Sequence, residues 1–182
     1  MATHQPNSIP AVMFIDNSGS TSGVKDYWSR VKMVIYDQNE NVEVYLWNTI
    51  VCSVVTRSEA LKLCDLMSGG GGTSPQCFIP VMKTLSPDTD VIIITDGDIS
   101  ESDVKQCTEL LSSSTKFKEI VLYLFGRGAN LSVAAAFRQR TECFTLQVDD
   151  DLKAKGVNLT SPISLSNVQT VEDFLSNYKI PY

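Results

Sequence analysis

Short apolar runs that alternate with segments of helical periodicity are the feature that most restricts how this sequence can fold. Two runs, Ala11–Ile15 and Val91–Ile94, are continuously apolar, and an aspartate follows each of them. Strands without polar alternation are buried on both faces, as in parallel sheets. Between the runs, apolar residues recur at the spacing of one helix face, first over residues 24–35. The pattern therefore predicts a domain in which strands and helices alternate.

The remaining segments predict how the sheet is built. Val42–Trp47 and Ile50–Val55 indicate two strands around Asn48-Thr49, and so short a connection makes them an antiparallel hairpin. Further strands are expected over 120–125 and 143–148, and helices over 58–67, from Pro75, after Ser100-Glu-Ser-Asp103, over 131–140 and at 170–178. We therefore expect an open, doubly wound, mostly parallel six-stranded sheet with one antiparallel edge strand and helices on both faces.

Length and composition exclude several classes of protein. The 182 residues fit one domain, expected over residues 11–182 after a flexible tail at 1–10. The net charge of −6 and the scattered Lys and Arg residues argue against nucleic acid as a partner. No stretch approaches the roughly 20 apolar residues of a membrane span, and residues 1–10 do not read as a signal peptide. Five cysteines without CxxC spacing favour reduced, buried thiols in an intracellular, cytoplasmic protein.

Three polar segments follow the strands at what should be one edge of the sheet. They are Asp16-Asn-Ser18-Gly-Ser20 after the first strand, Thr73 after a glycine run, and Asp96 after the strand at 91–94. Ligands of such sheets bind at the carboxyl ends of the strands, where the strand order reverses. The residues offer two carboxylates and three hydroxyls, all hard oxygens, which select Mg²⁺, or else Mn²⁺ or Ca²⁺. We therefore expect a metal site formed by Asp16, Ser18, Ser20, Thr73 and Asp96.

The pattern of these five residues resembles the metal-ion-dependent adhesion site of von Willebrand factor type A domains. The family combines Asp-x-Ser-x-Ser with a distant Thr and an Asp after the central strand, and the hairpin and helix order also match over nearly the whole chain. The resemblance implies a Rossmann-like fold and a protein-binding module whose cation grips a Glu or Asp of a partner. It also implies a shift of the last helix, at 170–178, on binding. The polar segment Asp149–Val168 has no clear counterpart in the family.

Other interpretations of the same residues remain open. As turn and helix-cap residues alone, Asp16, Ser18 and Ser20 would leave a metal-independent scaffold. A metal-dependent phosphohydrolase would use similar aspartates, but Asp16-Asn-Ser18 replaces the Asp-x-Asp of an aspartate-nucleophile phosphatase, and no histidine lies nearby. Asp98 is either an additional acid or a solvated loop residue. The glycine run Gly69–Gly72 lacks the Lys-Ser/Thr of a phosphate loop, so we interpret it as a connector to Thr73. We expect a binding module, not an enzyme.

Overall fold

One sheet organises the chain in the computed structural model, which describes residues 11–111, 116–126, 129–148 and 157–158. Its strands, in chain order, are β1 (Ala11–Asp16), β2 (Glu43–Trp47), β3 (Val51–Thr56), β4 (Asp90–Thr95), β5 (Phe117–Leu124), β6 (Thr141–Val148) and β7 (Val157–Asn158). Their spatial order is β3-β2-β1-β4-β5-β6-β7. The five strands β2, β1, β4, β5 and β6 pair parallel with one another in that order, and β3 pairs antiparallel with β2 at one edge.

The expected sheet is therefore confirmed in its six main strands, including its antiparallel edge strand. At the opposite edge, β7 adds a two-residue antiparallel pairing with β6. It lies within Asp149–Val168, where no strand was predicted, because a pair so short leaves no hydrophobic pattern in the sequence.

Helices cover both faces of the sheet, as expected. They are α1 (Tyr27–Tyr36), α2 (Arg57–Leu63), α3 (Ile79–Met82), α4 (Glu101–Leu111) and α5 (Ser132–Arg138), with short 3₁₀ helices at Gly19–Gly23 and Pro75–Cys77. Residues of α1 and α2 pack in the core on one face, and residues of α3, α4 and α5 pack in the core on the other. In the part of the chain that the structure describes, no helix has the length and apolarity needed to span a membrane.

The first apolar run forms β1, and its side chains alternate between the two cores. Val12 and Phe14 contribute to one core, Met13 and Ile15 to the other, and each is at most 4% exposed. Burying an apolar side chain of this size stabilises the fold by about 2 kcal/mol. Burial on both faces thus explains why the run lacks polar alternation.

The segment after Pro75 differs from the expected single helix. A 3₁₀ helix at Pro75–Cys77 is followed by the separate four-residue helix α3. Pro80 has no amide hydrogen to donate to the carbonyl of Gln76, so a helix that starts at Pro75 is interrupted, and Pro80 lies instead in the first turn of α3. The apolar residues still reach the core, where Phe78 stacks on Phe14 with ring centroids 4.6 Å apart.

The hairpin connection is one residue longer than predicted, because Ile50 belongs to the turn and not to β3. The Oδ1 atom of Asn48 accepts hydrogen bonds from the backbone N–H groups of Thr49 and Ile50, at 2.6 and 3.2 Å. This side-chain turn replaces the expected two-residue connection, and the strand register shifts between Leu46 and Trp47.

All five cysteines are free, but the expectation that they are buried is confirmed for only two of them, holds in part for two more and is wrong for Cys52. Cys64 and Cys107 are buried, and Cys77 and Cys143 are partly buried. Cys52 is exposed, because it lies on the edge strand β3, where alternate side chains face solvent.

The order of the strands brings two strand ends together. From β1 the chain continues to β2 on one side, whereas β4 lies on the other side and pairs with β1 through Ile15 and Ile94. This is a topological switch point, where the carboxyl ends of adjacent strands flank a crevice.

The predicted tail at 1–10 and closing helix at 170–178 lie outside the described residues.

Candidate metal site

Asp16 is the last residue of β1, and its side chain is completely buried. One carboxylate oxygen, Oδ1, accepts the backbone N–H of Ser18 at 2.8 Å, and the other accepts the hydroxyl of Thr95 at 2.6 Å. The backbone carbonyl of Asp16 accepts the Tyr27 hydroxyl at 2.9 Å. These contacts fix both the backbone and the rotamer of Asp16, while each carboxylate oxygen keeps a further lone pair.

The two serines and the second aspartate lie around this carboxylate. The hydroxyl oxygens of Ser18 and Ser20 are 3.0 Å apart. The Ser20 hydroxyl lies near enough to the carboxylate of Asp96 to lower its pKa. Asp96 follows β4 directly and is 4% exposed, and its Oδ1 accepts the backbone N–H of Asp98 at 3.2 Å. The structure therefore brings Asp16, Ser18, Ser20 and Asp96 together, as the sequence predicts.

Both carboxylates lie in surroundings that oppose ionisation. Burial raises the pKa of Asp16 to about 6, and the nearby charge of Asp96 adds to the increase, whereas hydrogen bonds from Thr95 and Ser18 limit it. Burial likewise raises the pKa of Asp96, and the charge of Asp98 contributes, against the hydrogen bond from Ser20. Among the described residues, hydroxyl and amide donors, and not a cationic side chain, thus stabilise the ionised forms. A bound cation would instead favour the ionised carboxylates and lower the pKa of both aspartates.

The loop that carries Thr73 packs against the loop that follows β1. The N–H of Gly19 donates to the carbonyl of Gly71 at 2.9 Å, and the N–H of Gly70 donates to the carbonyl of Asn17 at 2.8 Å. Thr73 itself is partly buried, and no hydrogen bond among the described residues involves its hydroxyl. The fifth predicted ligand is therefore placed by its loop, without a hydrogen bond to the other four.

Gly69 shows why this loop is rich in glycine. Its φ is +69°, and a Cβ atom built on it would lie 2.3 Å from the carbonyl oxygen of Ser18. Any other residue would combine a strained left-handed backbone with a steric clash. The glycine run is therefore a connector that allows two loops to approach closely, in agreement with our interpretation.

The chemistry of the site fits a hard divalent cation. Carboxylate and hydroxyl oxygens are typical ligands of Mg²⁺ and Ca²⁺, and they emerge at the crevice of the switch point. Among the described residues, no group of three or more His, Cys, Asp or Glu side chains is arranged to hold an ion. The candidate site combines two carboxylates with hydroxyls. Asp98 is exposed and acts on the site through its charge and its N–H.

Three residues of the site were missed by the sequence reasoning. Thr95 bonds the Asp16 carboxylate and also accepts the N–H of Gly97 at 3.0 Å. Tyr27 holds the Asp16 backbone from α1, and Asn48 contacts the glycine loop. Only Thr95 carried a usable signal, because it lies at the end of β4 directly before Asp96.

Comparison with known proteins adds no relative to this description. No protein-family model matches the chain, and no curated protein matches its sequence. The resemblance to von Willebrand factor type A domains therefore stays a prediction, which depends on five residues and the order of the elements.

Proposed function

We propose that this chain is a von Willebrand factor type A domain that binds a divalent cation and, through it, an acidic residue of a protein partner. Mg²⁺ is the proposed cation, with Mn²⁺ and Ca²⁺ as the alternatives that the same oxygen ligands accept. The proposed ligands are Asp16, Ser18, Ser20, Thr73 and Asp96.

The observation that carries this proposal is the close approach of two buried carboxylates at the switch point, where no cationic side chain of the described residues is among the groups that stabilise their ionised forms. Structural carboxylates in a protein interior are normally paired with a cationic group, because an unpaired buried charge costs several kcal/mol. Here burial raises the pKa of Asp16 to about 6, and the charge of Asp96 adds a smaller contribution. A divalent cation would neutralise both carboxylates, and the hydroxyls of Ser18 and Ser20 would complete its environment.

The composition of the site supports an acidic ligand on the partner. Two carboxylates among five proposed ligands leave the cation electrophilic, and a position that the protein does not fill would accept a carboxylate from another chain. Two unit charges 4 Å apart near a protein surface attract by about 4 kcal/mol before desolvation. One Glu or Asp would therefore be decisive for affinity, although surrounding contacts must supply the rest.

We further propose that the domain serves as an intracellular scaffold or adaptor, not as an enzyme. The free cysteines support a reducing compartment. A phosphohydrolase with an aspartate nucleophile would need a second acid where Ser18 stands, and the backbone N–H of Ser18 donates to Asp16 instead.

Thermal unfolding in EDTA, Mg²⁺, Mn²⁺ and Ca²⁺ tests the metal site. A cation that binds only the folded state, at one hundred times its dissociation constant, stabilises the protein by about 2.7 kcal/mol. We expect this stabilisation in the wild type and its loss in Asp16→Asn. Asp88→Asn is the matched control, because Asp88 is exposed and precedes β4 at the end of the strand opposite Asp96. Equal unfolding midpoints with EDTA and with millimolar cation would refute the site.

Peptide selection tests the partner. Peptides from a random display library, bound in Mg²⁺ and eluted with EDTA, should carry a required Glu or Asp, and its amide variant should not bind. Selection of peptides without an acidic residue would contradict the proposed mode of binding. Hydrolysis of p-nitrophenyl phosphate by the wild type, lost in Asp16→Asn, would support the phosphohydrolase instead.

A further inference from the structure

Asn48, in the β2–β3 turn, contacts the loop of Thr73 on both sides of the threonine. Its side-chain Nδ2 donates to the carbonyl of Gly70 at 3.0 Å, and its backbone carbonyl accepts the N–H of Ser74 at 2.9 Å. Gly70, which lies three residues before Thr73, and Ser74, which follows it, are thus both hydrogen-bonded to Asn48. Thr73 and Gly72, which lie between these attachments, take part in no hydrogen bond among the described residues.

The other end of the same amide determines the shape of the turn. The Oδ1 atom of Asn48 accepts the N–H groups of Thr49 and Ile50, so the side chain cannot rotate without breaking the turn. Gly71 packs against this amide as well, since a Cβ on Gly71 would lie 3.1 Å from Nδ2. The side chain therefore links a rigid hairpin to a glycine-rich segment that has little conformational restriction of its own.

The attachment of this loop on its other side is weaker. The hydroxyl of Ser74 donates to Asp103, at the start of α4, over 3.4 Å, which is close to the limit for a hydrogen bond. The contacts to Asn17 and Gly19 involve only backbone atoms. Among the described side chains that reach the loop, Asn48 thus makes the shortest hydrogen bond.

We infer that Asn48 is a positioning residue for the cation: it holds the Thr73 hydroxyl in place without binding the ion itself. This inference depends on the proposed metal site. Partners of metal ligands typically change metal affinity by about 10- to 100-fold when they are removed. Because Asn48 acts through the loop backbone, we expect Asn48→Ala to weaken Mn²⁺ binding by about tenfold, at the lower end of that range.

A double-mutant cycle tests the inference, with the dissociation constant of Mn²⁺ measured from the electron paramagnetic resonance signal of the free ion. The proteins are the wild type, Asn48→Ala, Thr73→Ala and the double variant. If Asn48 acts through Thr73, both single variants weaken binding and the double variant binds no more weakly than Thr73→Ala. Asn41→Ala, an exposed position before β2 at the far end of the strand, should leave the dissociation constant unchanged.

The outcomes separate this inference from the proposed function. No binding of Mn²⁺ by the wild type overturns both. If the wild type binds Mn²⁺ and Asn48→Ala has the same dissociation constant, only the role of Asn48 is overturned. The same holds if both single variants weaken binding equally and the two losses of affinity add in the double variant. If Asn48→Ala does not fold, Asn48→Asp decides, because it keeps the Oδ1 acceptor and loses the donor to Gly70. Its added negative charge favours cations, so weaker binding supports the inference and equal or tighter binding overturns it.

Discussion

Substitution of Asp16 by asparagine should remove a penalty that grows with pH in the metal-free protein. The pKa of Asp16 is raised by burial from 3.8 to about 6. An acid whose pKa is raised on folding contributes stability that is fully present below its unfolded pKa and is lost as the pH rises through its folded pKa. The wild type without metal should therefore lose stability between about pH 4 and pH 7, a loss that the neutral asparagine avoids.

The size of the effect follows from the pKa change. A shift of about two pKa units corresponds to about 3 kcal/mol, at 1.36 kcal/mol for each unit. Part of the unfolded protein is already ionised at pH 4, so we expect about 2 to 3 kcal/mol between pH 4 and pH 7.5. The quantity to compare is the unfolding free energy of Asp16→Asn minus that of the wild type, since titrating groups that do not interact with Asp16 cancel in this difference.

Urea unfolding in EDTA at a series of pH values measures this difference. The slope of unfolding free energy against urea must be the same in the two proteins for the comparison to hold. We expect the difference to increase from pH 4 and to level off above pH 7. A difference that is independent of pH would refute the reasoning, because it would mean that Asp16 titrates alike in the folded and unfolded chains.

Three further predictions concern the same region. The stabilisation by Mg²⁺ should be small at pH 5 and should grow through pH 6, because protons and the cation compete for Asp16. Thermal unfolding at a fixed Mg²⁺ concentration measures this stabilisation. A rise in the unfolding midpoint that is the same at every pH would contradict the prediction. Thr95→Val should lower the free energy of unfolding in EDTA at pH 7.5 by about 2 kcal/mol, since it removes the hydroxyl that donates to the Asp16 carboxylate. A free energy of urea unfolding equal to that of the wild type would exclude this role of Thr95. Gly69→Ala should cost about 2 kcal/mol or more, because of its left-handed backbone and the contact with Ser18. Gly70→Ala, where a Cβ meets nothing within 4 Å, is its control, and equal losses in the two variants would argue against the clash.

The sheet, and the closeness of Asp16, Ser18, Ser20 and Asp96, could be predicted because their signals are local. The apolar run of β1 predicts a strand buried on both faces, and Asp16 directly after the run indicates the carboxyl end of that strand. The rule for switch points then predicts that Asp16 and Asp96 lie close together, without any knowledge of side-chain contacts. The helix break before Ile79 also has a local cause, because Pro80 cannot donate a hydrogen bond to the preceding turn.

The hydrogen bonds that hold the site could not be predicted in the same way, because they join residues far apart in the sequence. The bond from Thr95 to Asp16 depends on the register of β4 against β1, and a shift by one residue would turn Thr95 to the opposite face. The contact of Asn48 with Gly70 depends on the path of two loops. Composition and periodicity carry no information on such paths.

The backbone hydrogen bonds between the loop after β1 and the glycine loop allow the opening of the candidate site to be measured. The amides of Gly19 and Gly70 donate to carbonyls of the other loop, so neither is protected until both loops are in place. Amide hydrogen exchange at these two glycines therefore measures how often the site comes apart, independently of any ligand. Faster exchange there than in the centre of β1 would mean that the loops separate while the sheet remains intact. Binding of a cation would then slow exchange at two glycines that are not among its proposed ligands.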